Sequence, residues 1–229
     1  MSLIDSLKQN FVDADRWKYL ANGLLTTLLI TFFAVLIGIV LGFLVAMVRS
    51  TCIKTGRFKV IDFFCRIYLT VIRGTPVVVQ LLITYFVIFG SVNISKVLVA
   101  IMAFGINSGA YVAEIVRGGI MAVDNGQFEA GRSLGLNYTQ TMRYIIMPQA
   151  IKTVLPALAN EAIVLLKETS VAGYIAIADL TKGGDIIRSQ TFSPFLPLIS
   201  VALIYLVIVM FLTHLVGKLE RRLSVNDRR

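Results

Sequence analysis

Four ionisable side chains stand inside long apolar stretches of this chain: Glu114, Glu161, Lys167 and Glu168. A charge held in hydrocarbon is costly, so such groups face a polar pathway or pair with one another. Glu161 and Glu168 are seven residues apart and share a helical face, with Lys167 displaced from them by about 100°. Carboxylates in that setting accept a cationic group, and a lysine or exposed backbone donors accept a carboxylate. Asn107 and Ser108 lie between Gly105 and Gly109, where the glycines are expected to loosen a helix and expose its N–H groups to an anion. Asn160, beside Glu161, and Thr75 complete the polar candidates. Three acids against one lysine lean towards a positively charged ligand. Three readings compete for Glu114: lining a pathway, joining helices, or sitting at a membrane face.

Other chemistry finds little support. Cys52 and Cys65 form neither a disulfide framework nor a Cys-x-x-Cys metal site, and His214, the single histidine, has no second ligand beside it. Asp124 and Glu129 read as a helix cap and surface charge rather than an acid–base pair. No catalytic residue and no metal site are expected.

These residues must be positioned by helices that cross a membrane. Of the 229 residues, 57% are hydrophobic and only 15% charged, against about 25% charged in an ordinary soluble domain. Leu24–Val48 is free of charge for 25 residues, Gly74–Ser95 for 22 and Ser189–Gly217 for 29, each long enough for a bilayer about 30 Å thick. Val97–Ala113 and the charge-bearing stretch Thr153–Ala178 add two more. The expected fold is an all-α integral membrane protein with five transmembrane helices, at about 22–48, 58–90, 95–118, 152–178 and 194–217. The net charge of +9 comes from 22 Lys and Arg against 13 Asp and Glu. The basic residues punctuate apolar runs rather than forming one patch, which speaks against a nucleic-acid partner.

Charge placement also sets the expected orientation. Segments 49–73, 117–152 and 218–229 hold fifteen of the 22 basic residues. The positive-inside rule therefore puts the C-terminus in the cytoplasm and the N-terminus outside. The acidic start, with Asp5, Asp13 and Asp15, is unlike a cleavable signal peptide. Residues 1–19, with Leu3, Ile4, Leu7, Phe11 and Trp17, are predicted to form an outer amphipathic N-terminal helix. In segment 54–73, Lys59, Asp62, Arg66 and Arg73 share one face, opposite Phe63, Phe64 and Ile67. That pattern is an interfacial helix or the polar start of the second span. Residues 20–218 form the membrane domain and 219–229 a cytoplasmic tail.

The loop 119–151 is too long for a simple turn. Asp124 or Asn125 can cap a helix, and Gly135 can end it in the left-handed conformation. The small residues Ala130 and Gly131 would let another backbone approach closely. Pro148 and Pro156 punctuate the entry to the fourth span.

Several motifs in this order carry a family resemblance. Phe128-Glu129-Ala130-Gly131, Gly135, Ile145-Ile146-Met147-Pro148-Gln149-Ala150 and Leu155-Pro156 resemble the signature loop of bacterial ABC-importer permeases. Arg73-Gly74-Thr75-Pro76, Ala110-Tyr111-Val112-Ala113-Glu114-Ile115 with Arg117-Gly118-Gly119-Ile120, and Leu165-Leu166-Lys167-Glu168-Thr169-Ser170 narrow it to the polar amino acid family, of the histidine, glutamine and arginine uptake type. The likeness runs from about residue 20 to 215. Gly131 departs from the family pattern, which usually has a second Ala there, and weakens the helix by about 1 kcal/mol.

The resemblance implies a multi-pass subunit of the bacterial cytoplasmic membrane that is not itself an enzyme. A cytoplasmic coupling helix at about 124–136, with Glu129, Ala130, Gly131 and Gly135 as contacts, would dock on a pair of ABC ATPase subunits that bind ATP and Mg. No G-x-x-x-x-G-K-[ST] loop occurs in this chain, so no cofactor is expected on it. A second permease subunit, identical or related, and an extracytoplasmic amino-acid-binding protein complete the implied assembly. The implied substrates are polar, in particular cationic, amino acids such as arginine, lysine or histidine. The rival reading is a secondary transporter or channel working without ATP, which the small number of spans and lack of an evident internal repeat disfavour.

Overall fold

The computed structural model describes residues 2–225, and every regular element among them is helical. The helices are α1 (Leu3–Leu7), α2 (Trp17–Thr55), α3 (Lys59–Gly74), α4 (Val77–Leu82), α5 (Lys96–Met121), α6 (Asn125–Ser133), α7 (Tyr138–Thr141), α8 (Met147–Glu168), α9 (Leu180–Thr191) and α10 (Phe195–Val225). Four helical stretches are long and apolar enough to cross a membrane: Trp17–Ile53, Lys96–Met121, Tyr138–Ile175 and Phe195–Leu223. A fifth exists if Lys59–Gly74 and Val77–Ile88 are taken together, but that pair is bent by 110°.

The bend corrects the expectation of one span over 58–90. Pro76 has no N–H to give to a helix, and its ring disfavours helical backbone at Thr75. Pro76 stands as the extended residue before α4, with ψ 138°. Beyond α4 the chain continues as a π-helical turn to Ile88. The other spans are longer than expected at their polar ends. α2 starts at Trp17 and runs to Thr55, where Gly56, at φ +68°, releases the chain from helical geometry. The fourth span is extended at its start by α7 and a π turn, and ends in a 3-10 segment, Thr169–Ile175. Pro156 is held inside α8. Residues 226–229 of the expected tail lie outside the described residues.

The chain divides into two compact units. The first comprises residues up to Leu36, Thr75–Gly105 and Ala162–Leu212. Its larger apolar cluster joins Ile30, Leu81, Phe104, Leu165 and Ile175, all buried. A second cluster gathers Leu20, Leu180, Ile187 and Val201. The N-terminal segment is tied down here, since Thr191 donates to the Asn10 side chain at 2.9 Å and Arg16 to Gln190 at 3.3 Å. Asp179 caps α9 by accepting from the N–H groups of Thr181 and Lys182. Glycines allow the helices to touch: a Cβ on Gly23 would stand 2.5 Å from the Asp179 carbonyl oxygen.

The second unit comprises Ile37–Gly74, Ile106–Glu161 and the chain from Thr213. Val112, Val116, Ile120, Met142, Ile146 and Val154 form its main apolar cluster. Val45, Leu69, Ala110 and Ala113 form a smaller one. α3 is strongly amphipathic. Asp62 and Leu69 are buried, whereas Phe63 and Phe64 are 59% and 63% exposed, an orientation suited to lipid rather than water.

Candidate functional site

Glu114, on α5, is surrounded by arginine. Its carboxylate takes Arg49 Nη1 from α2 at 2.8 Å and Arg117 Nη2, one turn along its own helix, at 2.8 Å. Arg73, at the end of α3, adds a longer contact of 3.8 Å and lies over the Tyr111 ring, 5.8 Å from its centroid. A second carboxylate joins through Arg49, whose Nε is 3.5 Å from buried Asp62. Arg66, one turn after Asp62, donates to it from Nε at 2.8 Å and lies at 2.7 Å through Nη2. Four guanidinium groups and two carboxylates thus form one network. Beside it lies a cavity of ≈ 630 Å³, lined by Arg49, Arg66, Thr70, Arg73, Tyr111 and Glu114 among others.

Of the three readings of Glu114, this geometry favours the one that joins helices. The Glu114–Arg117 and Asp62–Arg66 pairs were readable as helical spacings of three and four. Arg49 and Arg73 gave no such signal, because they reach Glu114 only through tertiary contact, and sequence reasoning counted them as orientation charges.

A separate polar pair lies on α5 and α8. Ser108 Oγ donates to Glu161 at 3.0 Å. Ser108 and Asn107 are buried, while Glu161 is partly exposed and Asn160 exposed. Gly38 makes room on α2, since a Cβ there would come within 2.9 Å of Ser108 Oγ. The expected loosening over 105–109 is not found: α5 runs unbroken, and the Tyr68 hydroxyl instead donates to the Ile106 carbonyl at 2.6 Å. The glycines serve close packing, with Gly109 against Tyr68 and Leu41. No anion-binding row of free N–H groups arises there, because a continuous helix uses them internally. Thr75, Lys167 and Glu168 belong to the other unit: Thr75 and Lys167 are exposed and Glu168 is half-buried at the end of α8.

The loop candidates sit on α6. Asp124 caps it, its side chain accepting from Gly126 N–H at 2.6 Å. At the other end Gly135, at φ +77°, closes a Schellman turn: Leu136 N–H donates to the Gly131 carbonyl at 3.0 Å and Gly135 N–H to that of Arg132 at 2.9 Å. Phe128 packs on the main apolar cluster of its unit, which includes residues of α5 and of the turn after α7. Glu129 and Ala130 are exposed, leaving them open to a partner. Gly131 is not. It is buried, and a Cβ on it would meet Thr141 Cγ2 at 2.6 Å. The close approach foreseen at Gly131 is therefore made by the chain's own α7.

Among the described residues, no group of three His, Cys, Asp or Glu side chains could hold a metal. Cys52 and Cys65 are free thiols, and His214 is exposed on α10.

Known proteins share both the sequence and the fold of this chain. The family described as "Binding-protein-dependent transport system inner membrane component" matches residues 38–225. The arginine transport system permease protein ArtQ of Bacillus subtilis is 37% identical over 211 residues, covering 91% of this chain and 94% of that protein. The glutamine transport system permease protein GlnP of Escherichia coli is 35% identical over 209 residues, covering 90% and 93%. A chain in the crystal structure of an amino acid ABC transporter with histidines superposes with a TM-score of 0.85 at 43% identity, covering 97% of this chain and 99% of that one. A chain of the inward-facing MetNI methionine ABC transporter, at 17% identity and a TM-score of 0.77, shares the fold.

Proposed function

The chain belongs to the binding-protein-dependent transport inner membrane components, and on that premise we propose that it is the membrane permease of an ATP-driven amino acid importer. The observation that carries this is whole-chain likeness at 43% identity to a chain of an amino acid ABC transporter. Membership implies an ATPase partner and a second permease subunit. An extracytoplasmic binding protein would deliver the substrate, and ATP and Mg would act on the partner ATPase.

The ATPase would dock on α6 through Glu129, Ala130 and the Gly135 turn, on the cytoplasmic side. Its movement would pass through Phe128 into the apolar cluster shared with α5 and α8, rocking the spans between inward and outward access. Gly131 would support α6 from behind rather than touch the ATPase.

Glu161 would line the pathway, with buried Ser108 orienting its carboxylate towards the cationic end of the substrate. Glu114, already held by three arginines, would anchor helices around it. Asn107, Asn160, Thr75, Lys167 and Glu168 remain candidates for the rest of the route. The preferred substrates would be polar amino acids with a cationic side chain, because the acidic groups of the spans outnumber Lys167.

The test is reconstitution in liposomes with the ATPase and binding protein, measuring uptake of arginine, lysine, histidine and glutamine. ATP-dependent uptake, strongest for the cationic three, is expected. Uptake by the permease alone would overturn the importer reading, and glutamine as the preferred substrate would overturn the cationic one.

A further inference from the structure

The arginine network carries more positive charge than its own carboxylates neutralise. Arg49, Arg66, Arg73 and Arg117 meet Asp62 and Glu114, an excess of two positive charges within the cluster. The excess is unevenly placed. Arg49 is largely covered and binds both acids, whereas Arg66 and Arg73 expose 61% and 45% of their side chains. These two line the ≈ 630 Å³ cavity with Thr70 and Tyr111. Each guanidinium has five donors in a planar fork that suits the oxygens of a phosphate. Arg73 has a single long ion pair to Glu114 within the network, so its donors are the least committed.

The apolar side of the same helix points to the source of such a phosphate. α3 carries Arg66 and Arg73 together with exposed Phe63, Phe64, Ile67 and Val71. A helix with this division lies at a membrane surface, its apolar face among acyl chains and its basic face at head-group level. Basic pockets among membrane helices at that depth bind anionic lipid head groups. We propose that the cavity bounded by Arg66, Arg73 and Tyr111 binds the head group of an anionic phospholipid. The lipid phosphate is held by the two guanidinium groups, and the acyl chains lie along the aromatic face of α3. This goes beyond the transport reading, since it concerns a ligand that is not carried.

The test is native mass spectrometry of the delipidated transporter complex, titrated with phosphatidylglycerol, phosphatidylcholine or inorganic phosphate. Tight phosphatidylglycerol binding with little phosphatidylcholine binding is expected. The double variant Arg66→Gln/Arg73→Gln should weaken the phosphatidylglycerol Kd about thirtyfold, the effect of two basic residues facing a lipid surface. Arg66 supports buried Asp62, so the single variant Arg73→Gln keeps the test usable if the double variant fails to fold. It should lose about fivefold, and Arg73→Lys should stay within about twofold of wild type, because a point charge still attracts the head group. Equal binding of the two lipids, or an unchanged Kd in Arg73→Gln, overturns the proposal. Inorganic phosphate binding as tightly as phosphatidylglycerol, through the same arginines, also overturns it in favour of a free-anion site.

Discussion

Arg49 Nη1 lies 2.8 Å from Glu114 Oε1 although 65 positions separate the two residues. The contact clamps the end of one long helix to the flank of another inside a single unit. Removing its acid would leave Arg49, Arg73 and Arg117 facing one another. Glu114→Gln is therefore expected to destabilise the fold by about 1–3 kcal/mol, less than a fully buried pair would lose, because the cluster is partly open. Thermal unfolding in detergent checks this. An unchanged unfolding temperature would show that Glu114 does not anchor these helices.

Glu161 and Ser108 should behave differently. Glu161→Gln is expected to raise the KM for a cationic amino acid about tenfold or more, the scale of a lost charge-assisted hydrogen bond. Ser108→Ala should raise it less. Transport kinetics across arginine, lysine and glutamine read the effect, and an equal loss for glutamine would count against a charge-recognising role.

Gly131→Ala sets two effects against each other. Alanine favours the helix by about 1 kcal/mol, but its Cβ would stand 2.6 Å from Thr141 Cγ2, and such overpacking typically costs about 1–3 kcal/mol. Net destabilisation is expected, with recovery when Thr141→Ala is added. A Gly131→Ala variant more stable than wild type would mean that α7 yields easily.

Two variants probe coupling on α6. Ala130→Trp places bulk on an exposed position without touching the apolar cluster, and should leave ATP hydrolysis running while uptake falls. Gly135→Arg should do the same and also lose about 1–2 kcal/mol, because Gly135 holds φ +77°. Wild-type ratios of uptake to hydrolysis in both variants would refute docking on this face.

On α9, Lys182 and Arg188 hold the Asp185 carboxyl below the usual carboxylate range. A depressed acid contributes stability that is present above its unfolded value and lost as pH falls through its folded one. The unfolding temperature should therefore drop more steeply below about pH 4 in wild type than in Asp185→Asn. Burial raises Asp179 instead, so its contribution has the opposite sign and fades as pH rises through its folded value. Parallel acid profiles for wild type and Asp185→Asn would show that the Asp185 ion pairs add no acid-sensitive stability.

The sequence by itself determined the features that depend on neighbouring residues. Charge-free runs marked the long apolar helices, because length and hydropathy are local. Asp124 and Gly135 announced the ends of α6 by a side-chain acceptor and a tolerance for positive φ. The pairs Asp62–Arg66 and Glu114–Arg117 followed from helical spacing. Pro76 was in plain view, but a proline says that a helix is interrupted, not that its halves diverge by 110°. Only tertiary structure decided which charges meet. Arg49 and Glu114 are 65 positions apart, and Ser108 and Glu161 are 53 apart. It also decided that Gly131 faces Thr141, and that the glycines at 105 and 109 tighten helix packing instead of opening a backbone. Contacts of that kind depend on the register and rotation of helices distant in the chain, which are set by side chains interlocking across a whole unit.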